Sequence, residues 1–204
     1  MEVYGIDVSK WQGDIHWEEV KKSGKASFAI LKAGGSDKGF YTDKKFYENY
    51  EQCKKVGIPL GAYYFAGPKF GAEKGNGLAD AKRFYEIIKG LKFEYPIYLD
   101  IEAQPISDKE GTTRNAIEFC EFFEEKNYFV GIYASRVSGF KDRLQAELLD
   151  VYTWWVADYS NPVPAPLHQY SSQGSIPGIL GNVDLNVCTT DFPTIIKTNH
   201  LNGY

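Results

Sequence analysis

The 204-residue sequence predicts an α/β protein, an irregular TIM-like barrel of five β/α units followed by three strands lacking helices. Three observations predict it. Short, mostly apolar strand candidates alternate with helix candidates five times, the pattern of parallel strands covered by helices. The rhythm then stops, and three more strand candidates follow with only turn chemistry between them, such as "NPVPAP" and "GSIPGILGN". The sum, eight, is the number that closes a small barrel whose interior side chains can fill. An open doubly wound sheet accommodates the first five units but leaves the last three strands without a place.

Each element has a local reason. "VYGIDVS" (Val3–Ser9) reads as the first strand, and "HWEEVKKSG" (His16–Gly24) as a short helix with a glycine stop. Ser27–Gly35 is the second strand, before a helix near Asp43–Val56 closed by Gly57. Pro59–Gly67 and a helix from roughly Ala72 to Lys89 make the third unit. Pro96–Glu102 and a helix over about Thr112–Lys126 make the fourth, and Phe129–Ser135 with a helix near Phe140–Leu149 the fifth. The bare strands are Tyr152–Tyr159, Leu167–Gly174 and Val183–Cys188. No internal boundary is visible, so residues 1–192 read as one domain. "PTIIKTNHLNGY" lacks pattern, which leaves 193–204 as a tail or the start of a linker.

Composition narrows the function. A net charge of −4 with mixed signs lacks the basic stripe of a nucleic-acid binder. No apolar run approaches a membrane span, and "MEVYGIDVSK" has no basic region leading into an apolar run, so no signal peptide is read. Cys53, Cys120 and Cys188 match no metal-ligand spacing and read as buried free thiols. His16, His168 and His200 fall on different segments, so no metal or other cofactor is implied. Aromatic residues make up 16% of the chain, a payload suited to a binding groove as well as a core.

The stretch "YPIYLDIEAQP" (Tyr95–Pro105) ends an apolar strand in two acids, Asp100 and Glu102. Acids are poor strand formers, and at i and i+2 they share a face, about 6–7 Å apart at the backbone. In barrels of this kind chemistry sits at the C-terminal ends of the strands. Asp7 and Ser9 end the first strand, and Asp184 and Asn186 lie on the last. Four acids therefore converge on one rim. A lone acid there is usually a cap or turn former, a reading that suits Asp37, Asp43 and Asp158 better than Asp100 and Glu102.

"YGIDVSKWQGDIHW", "LGAYYFA", "YLDIE", "WWVADY", "HQYSS" and "GNVDLNV" resemble, in order, the motifs of the glycoside hydrolase family 25 lysozymes, the Chalaropsis-type muramidases. The resemblance covers Tyr4 to about Val187. It implies an irregular eight-stranded barrel and hydrolysis of the β-1,4 bond from N-acetylmuramic acid to N-acetylglucosamine in bacterial cell-wall peptidoglycan. It also implies Asp7, Asp100, Glu102 and Asp184 as the acid cluster, with Tyr63 as the active-site tyrosine. Two departures stand out. Members often carry Ala-Tyr-His-Phe where this chain has Ala62-Tyr63-Tyr64-Phe65, a change expected on the face turned away from Tyr63. Members often carry Lys-Ala-Thr-Glu-Gly where this chain has Lys32-Ala33-Gly34-Gly35-Ser36, which removes a rim acid.

Glycoside cleavage needs a carboxylic acid still protonated near neutral pH. A second carboxylate about 6 Å away costs on the order of 2–3 kcal/mol at an effective dielectric of 20, or roughly two pKa units. Glu102, nearer the mouth and longer, is read as the general acid, with Asp100 as its charged partner. Asp100 then holds the substrate's N-acetyl group while its oxygen attacks. The competing account is inversion, with Asp7 or Asp184 activating water. In a third account Asp7 and Asp184 only tune neighbouring pKa values and hold the floor of the site by hydrogen bonds. Tyr63, Phe65, Tyr133, Trp155, Gln169, Trp11 and Lys32 are read as substrate-binding, with Trp155 in the groove and Trp154 in the helix-facing layer. Tyr159 and Tyr170 are further ring candidates. A metal-dependent deacetylase, a non-catalytic glycan-binding module and a chitinase are the alternatives. A substrate outside the membrane and no visible signal suggest a phage lysin, held in the host cytoplasm until holin releases it, with a cell-wall-binding module beyond Tyr204; an extracellular protein whose signal has been removed is the alternative.

Overall fold

The structure, a computed structural model, describes residues 2–204. Strands β1 (Val3–Val8), β2 (Ala29–Gly35), β3 (Tyr41–Thr42), β4 (Leu60–Phe65), β5 (Ile97–Asp100), β6 (Val130–Ser135), β7 (Thr153–Ala157), β8 (Leu167–Gly174) and β9 (Val183–Cys188) form one sheet. Its order is β1-β9-β8-β7-β6-β5-β4-β2-β3, and pairing of β1 with β2 closes eight of them into a barrel. Seven barrel strands run parallel. β9 is antiparallel to both β8 and β1, so its first residues share a rim with the other strands' last.

Strand alternation sorts the side chains into two cores. Phe28, Ile30, Tyr98, Tyr133, Trp155 and Leu167 point inward and fill the barrel. Ile6, Leu31, Tyr64, Leu99, Ile132 and Val156 point outward into the layer beneath the helices. Gly5 and Gly131 supply inward space: a Cβ on Gly5 would sit 2.5 Å from the Phe28 ring, and one on Gly131 2.7 Å from Tyr98. Tyr64 packs between Phe84 and Phe119 in the outer layer, so the departure at this position alters packing, not the inner face.

Helices α1 (Trp17–Ser23), α2 (Phe46–Val56), α3 (Asn76–Ile88) and α4 (Lys109–Glu124) cover the first half. α1 and α2 end at left-handed Gly24 and Gly57, as their glycine stops predict. α2 and α3 start later than the sequence suggests. Asp43 caps the chain before α2 by accepting from Lys45 N. Gly75, at φ 91°, breaks the backbone ahead of α3.

The fifth helix, expected near Phe140–Leu149, does not form. A π-helical turn (Arg136–Lys141) and a 3-10 turn (Ala146–Leu148) replace it. Tertiary contacts outweigh local propensity here. Phe140 stacks on Trp154 at 4.5 Å, Trp154 Nε1 donates to Leu149 O, and Gln145 N donates to Thr113 Oγ1. Gly139 lies so close to Ala134 that a Cβ would approach to 2.4 Å.

The patternless tail is ordered structure. Helix α5 (Phe192–Thr198) buries Phe192 and Ile196 against the floor of the barrel. Asn202 is wholly buried, donates to Tyr95 O at 2.9 Å and accepts from Phe129 N at 2.7 Å. The three cysteines are free and buried.

Candidate active site

A well of about 160 Å³ opens at the rim where the parallel strands end, lined by Asp7, Tyr63, Asp100, Glu102, Tyr133, Trp155, Tyr159, Gln169 and Asp184. All four acids of the sequence argument meet in it. β5 ends at Asp100, so Glu102 stands two residues beyond the strand and is exposed, while Asp100 is 3% exposed. Both carboxyls line the well all the same. Asp184 is Cα partner of Asp7 across the β1–β9 pair.

Burial sets the charges first. It pushes Asp100 well above the carboxylate range, with Glu102 and Asp7 adding repulsion and Lys32 opposing. Desolvation of its carboxyl in the well also raises Glu102, opposed by Lys32 and Arg143 and helped by Asp184. The deeper carboxyl is penalised most. Burial therefore opposes the charged form of Asp100 more than that of Glu102 in the free protein. Asp100 Oδ1 is buried without a hydrogen-bond partner.

Asp7 is pushed up to about 8 by burial and then by Asp184, against donations from Asn186 Nδ2 and Gln169 Nε2 to its Oδ2, both at 2.8 Å. Burial raises Asp184 as well, while its hydrogen bond with Asp7 lowers it. Burial and the neighbouring Asp184 carboxyl thus favour the protonated form of Asp7.

Gln169 is more than a rim polar residue. It is 3% exposed, and its Oε1 accepts from Tyr133 Oη and Tyr159 Oη, each at 2.8 Å, while Nε2 holds Asp7. It acts by positioning these groups. Trp155 faces inward as the alternation argument requires, but at 1% exposure it is the floor of the well, not an open groove wall. Its ring lies 4.4 Å from Tyr133 and 5.9 Å from Tyr63, and Nε1 donates to Asn186 Oδ1 at 2.8 Å. Tyr63 is half-buried beside all four acids; burial and then their charges raise its phenol. Lys32 lies 4.3 Å from the Phe65 ring, beside the well. Trp11 stands at the rim, 79% exposed. Tyr170 is outside the well, packed edge-on against Tyr4. Asp43 and Asp158 serve as backbone acceptors, as expected of turn formers.

Sequence reasoning missed Arg143 and the scope of Tyr159. Arg143 lies in the segment read as a helix, and its Nε donates to Gln104 O at 2.7 Å. A groove of about 440 Å³ leads from the well past Glu102, Tyr133, Ser135, Arg136 and Tyr159. Arg136 pairs there with Asp158.

The family model of the glycosyl hydrolases family 25 matches residues 6–179, a span that includes Asp7, Asp100 and Glu102. The chain belongs to this family. It is accordingly a glycoside hydrolase of the lysozyme type. Lysozyme M1 of Streptomyces globisporus is 30% identical over 216 residues, covering 90% of this chain and 67% of that protein. The solved bacterial lysozyme from Streptomyces coelicolor superposes with a TM-score of 0.82 at 28% identity, covering 97% of this chain and 98% of that one. The modular autolysin LytC from Streptococcus pneumoniae, solved with a synthetic peptidoglycan ligand, gives a TM-score of 0.80 at 26% identity. It covers 91% of this chain, which spans only 46% of that autolysin.

Proposed function

We propose that the chain is an N-acetylmuramidase, cleaving the β-1,4 bond between N-acetylmuramic acid and N-acetylglucosamine of peptidoglycan. The observation that carries this reading is the buried, unpartnered Asp100 Oδ1 in the well that Glu102 also lines. An amide N–H of a bound N-acetyl sugar would supply the missing partner. Donation to Asp100 favours its charged form, and the proton of the pair passes to Glu102, nearer the leaving oxygen.

Glu102 then gives that proton to the glycosidic oxygen. The acetamido oxygen closes on the anomeric carbon, forming an oxazolinium ion whose N–H rests on Asp100. Glu102, now a carboxylate, takes a proton from water entering on the leaving-group side, and the β configuration is retained. Asp7 and Asp184, with Gln169 behind, line the other side of the well, where a proton on Asp7 reduces the pair from two negative charges to one.

Digestion of purified cell walls, with mass spectrometry of the reducing ends, tests the reading. Muramic acid at the new ends is expected, and N-acetylglucosamine at the new ends refutes it. A phage-lysin setting with a separate wall-binding module belongs to the same proposal. Lysis of a host expressing the chain only when a holin is co-expressed supports that setting.

A further inference from the structure

Beside the well, on the β1–β2 side, aromatic rings and lysine ammoniums alternate out to the rim. Lys32 Nζ lies 4.3 Å from the Phe65 ring centroid, 5.7 Å from Tyr63 and 6.0 Å from Tyr41. Lys10 Nζ lies 6.0 Å from the Tyr41 ring and 5.1 Å from the exposed Trp11. Neither ammonium is in an ion pair among the described residues. Asp43, the acid beside Lys10, is buried and turned to the backbone N–H groups of Lys10 and Lys45. Asp37 faces the Tyr41 phenol.

Two glycines put Tyr41 there. Strand β3 pairs with β2 through Gly34–Thr42 and Gly35–Tyr41. A Cβ on Gly34 would lie 2.2 Å from Tyr41 O, and one on Gly35 2.7 Å from Tyr41 Oη. Side chains at these positions would drive the hairpin off. Gly34 and Gly35 stand where the family motif carries Thr-Glu, so the rim exchanges an acid for a phenol flanked by two ammoniums.

We propose that Lys10, Tyr41 and Lys32 form a subsite for a carboxylate-bearing substituent of the bound glycan, with Trp11 offering a ring to a sugar face. An ammonium over aromatic rings is partly desolvated yet keeps N–H groups free, which strengthens a contact with an anion. The proposal rests on the peptidoglycan reading. In that polymer the 3-O-lactyl group of muramic acid ends in a carboxylate, either free or extended by a stem peptide that carries carboxylates of its own.

Three probes separate the cases: peptide-stripped glycan strands with free lactyl carboxylates, intact uncross-linked strands, and stripped strands whose carboxylates have been converted to neutral amides. Binding to the full chain is read from tryptophan fluorescence and from KM. The parent protein is expected to bind a carboxylate-bearing strand about threefold or more tightly than the amidated one, with the preference shrinking as salt is added. Lys10→Gln, at an exposed position, is expected to abolish the preference. A preference for stripped strands assigns the lactyl carboxylate, and one confined to intact strands assigns the peptide. Equal binding of charged and amidated strands by the parent overturns the proposal. A preference that survives in both Lys10→Gln and Tyr41→Ala also overturns it. N-acetylglucosamine at the new reducing ends would instead sink the muramidase reading and leave the binding ratio readable.

Discussion

Asp7→Asn should make the protein more stable at alkaline pH and remove much of its pH dependence. An asparagine at this position can still accept from Gln169 Nε2 and Asn186 Nδ2 through its carbonyl, and can donate to Asp184 through its amide. It mimics the protonated acid that burial favours there. The folded-state value of about 8 for Asp7 compares with about 3.9 in an unfolded chain. The folded protein thus retains a proton that the unfolded chain has lost. The stability this contributes is complete below about pH 4 and drains away as pH rises through about 8. From pH 5 to pH 8 one such proton is worth about 3–4 kcal/mol, or roughly 8 °C in melting temperature for a chain of this length. Asp100 and Glu102, raised in the same direction, add their own loss in parent and variant alike, so the difference isolates the Asp7–Asp184 pair. The assay is a series of thermal melts of both proteins from pH 5 to pH 8. If Asp7→Asn loses as much stability as the parent over that span, the pair holds no proton and the reasoning fails.

Glu102→Gln removes the proton donor and should lower turnover on cell walls by about 10² or more with folding intact, a comparison made by dye release and circular dichroism. Proton NMR of the anomeric signal in the first minutes of digestion should show the β product, because Asp100 and Glu102 serve one well; an initial α product would make Asp7 or Asp184 the base for an inverting water. Gln169→Leu strands the Tyr133 and Tyr159 hydroxyls and Asp7, costing about 1–3 kcal/mol and displacing the pH–activity profile, which a merely structural residue would leave in place. Asn202→Ala leaves the Tyr95 carbonyl and the Phe129 amide without partners under the barrel, a loss of about 2–4 kcal/mol to be read from urea unfolding.

The sequence by itself determined whatever depends on local periodicity. Alternation placed Trp155 inside and Trp154 outside, turned Tyr64 away from Tyr63, and put Asp7, Asp100 and Glu102 at strand ends on one rim. A period of two is written in consecutive residues and needs no knowledge of a partner. Glycine stops, likewise local, marked the ends of α1 and α2.

Only the tertiary structure decided what depends on residues far apart in the chain. Asp184 reaches the rim because β9 runs antiparallel, so the start of a strand meets the ends of the others. Gln169 acquires its role from partners 36 and 162 residues away. Phe140–Leu149 carries helix-compatible residues, yet the segment instead stacks Phe140 on Trp154 and offers Leu149 O to Trp154 Nε1, contacts with a strand that local sequence does not reveal. The patternless tail becomes α5 because the open floor of the barrel offers Phe192 and Ile196 a place to bury. Depth was also out of reach. Asp100 is buried while Glu102, two residues past β5, is exposed, and the closed barrel alone sets that difference and the stronger desolvation of Asp100.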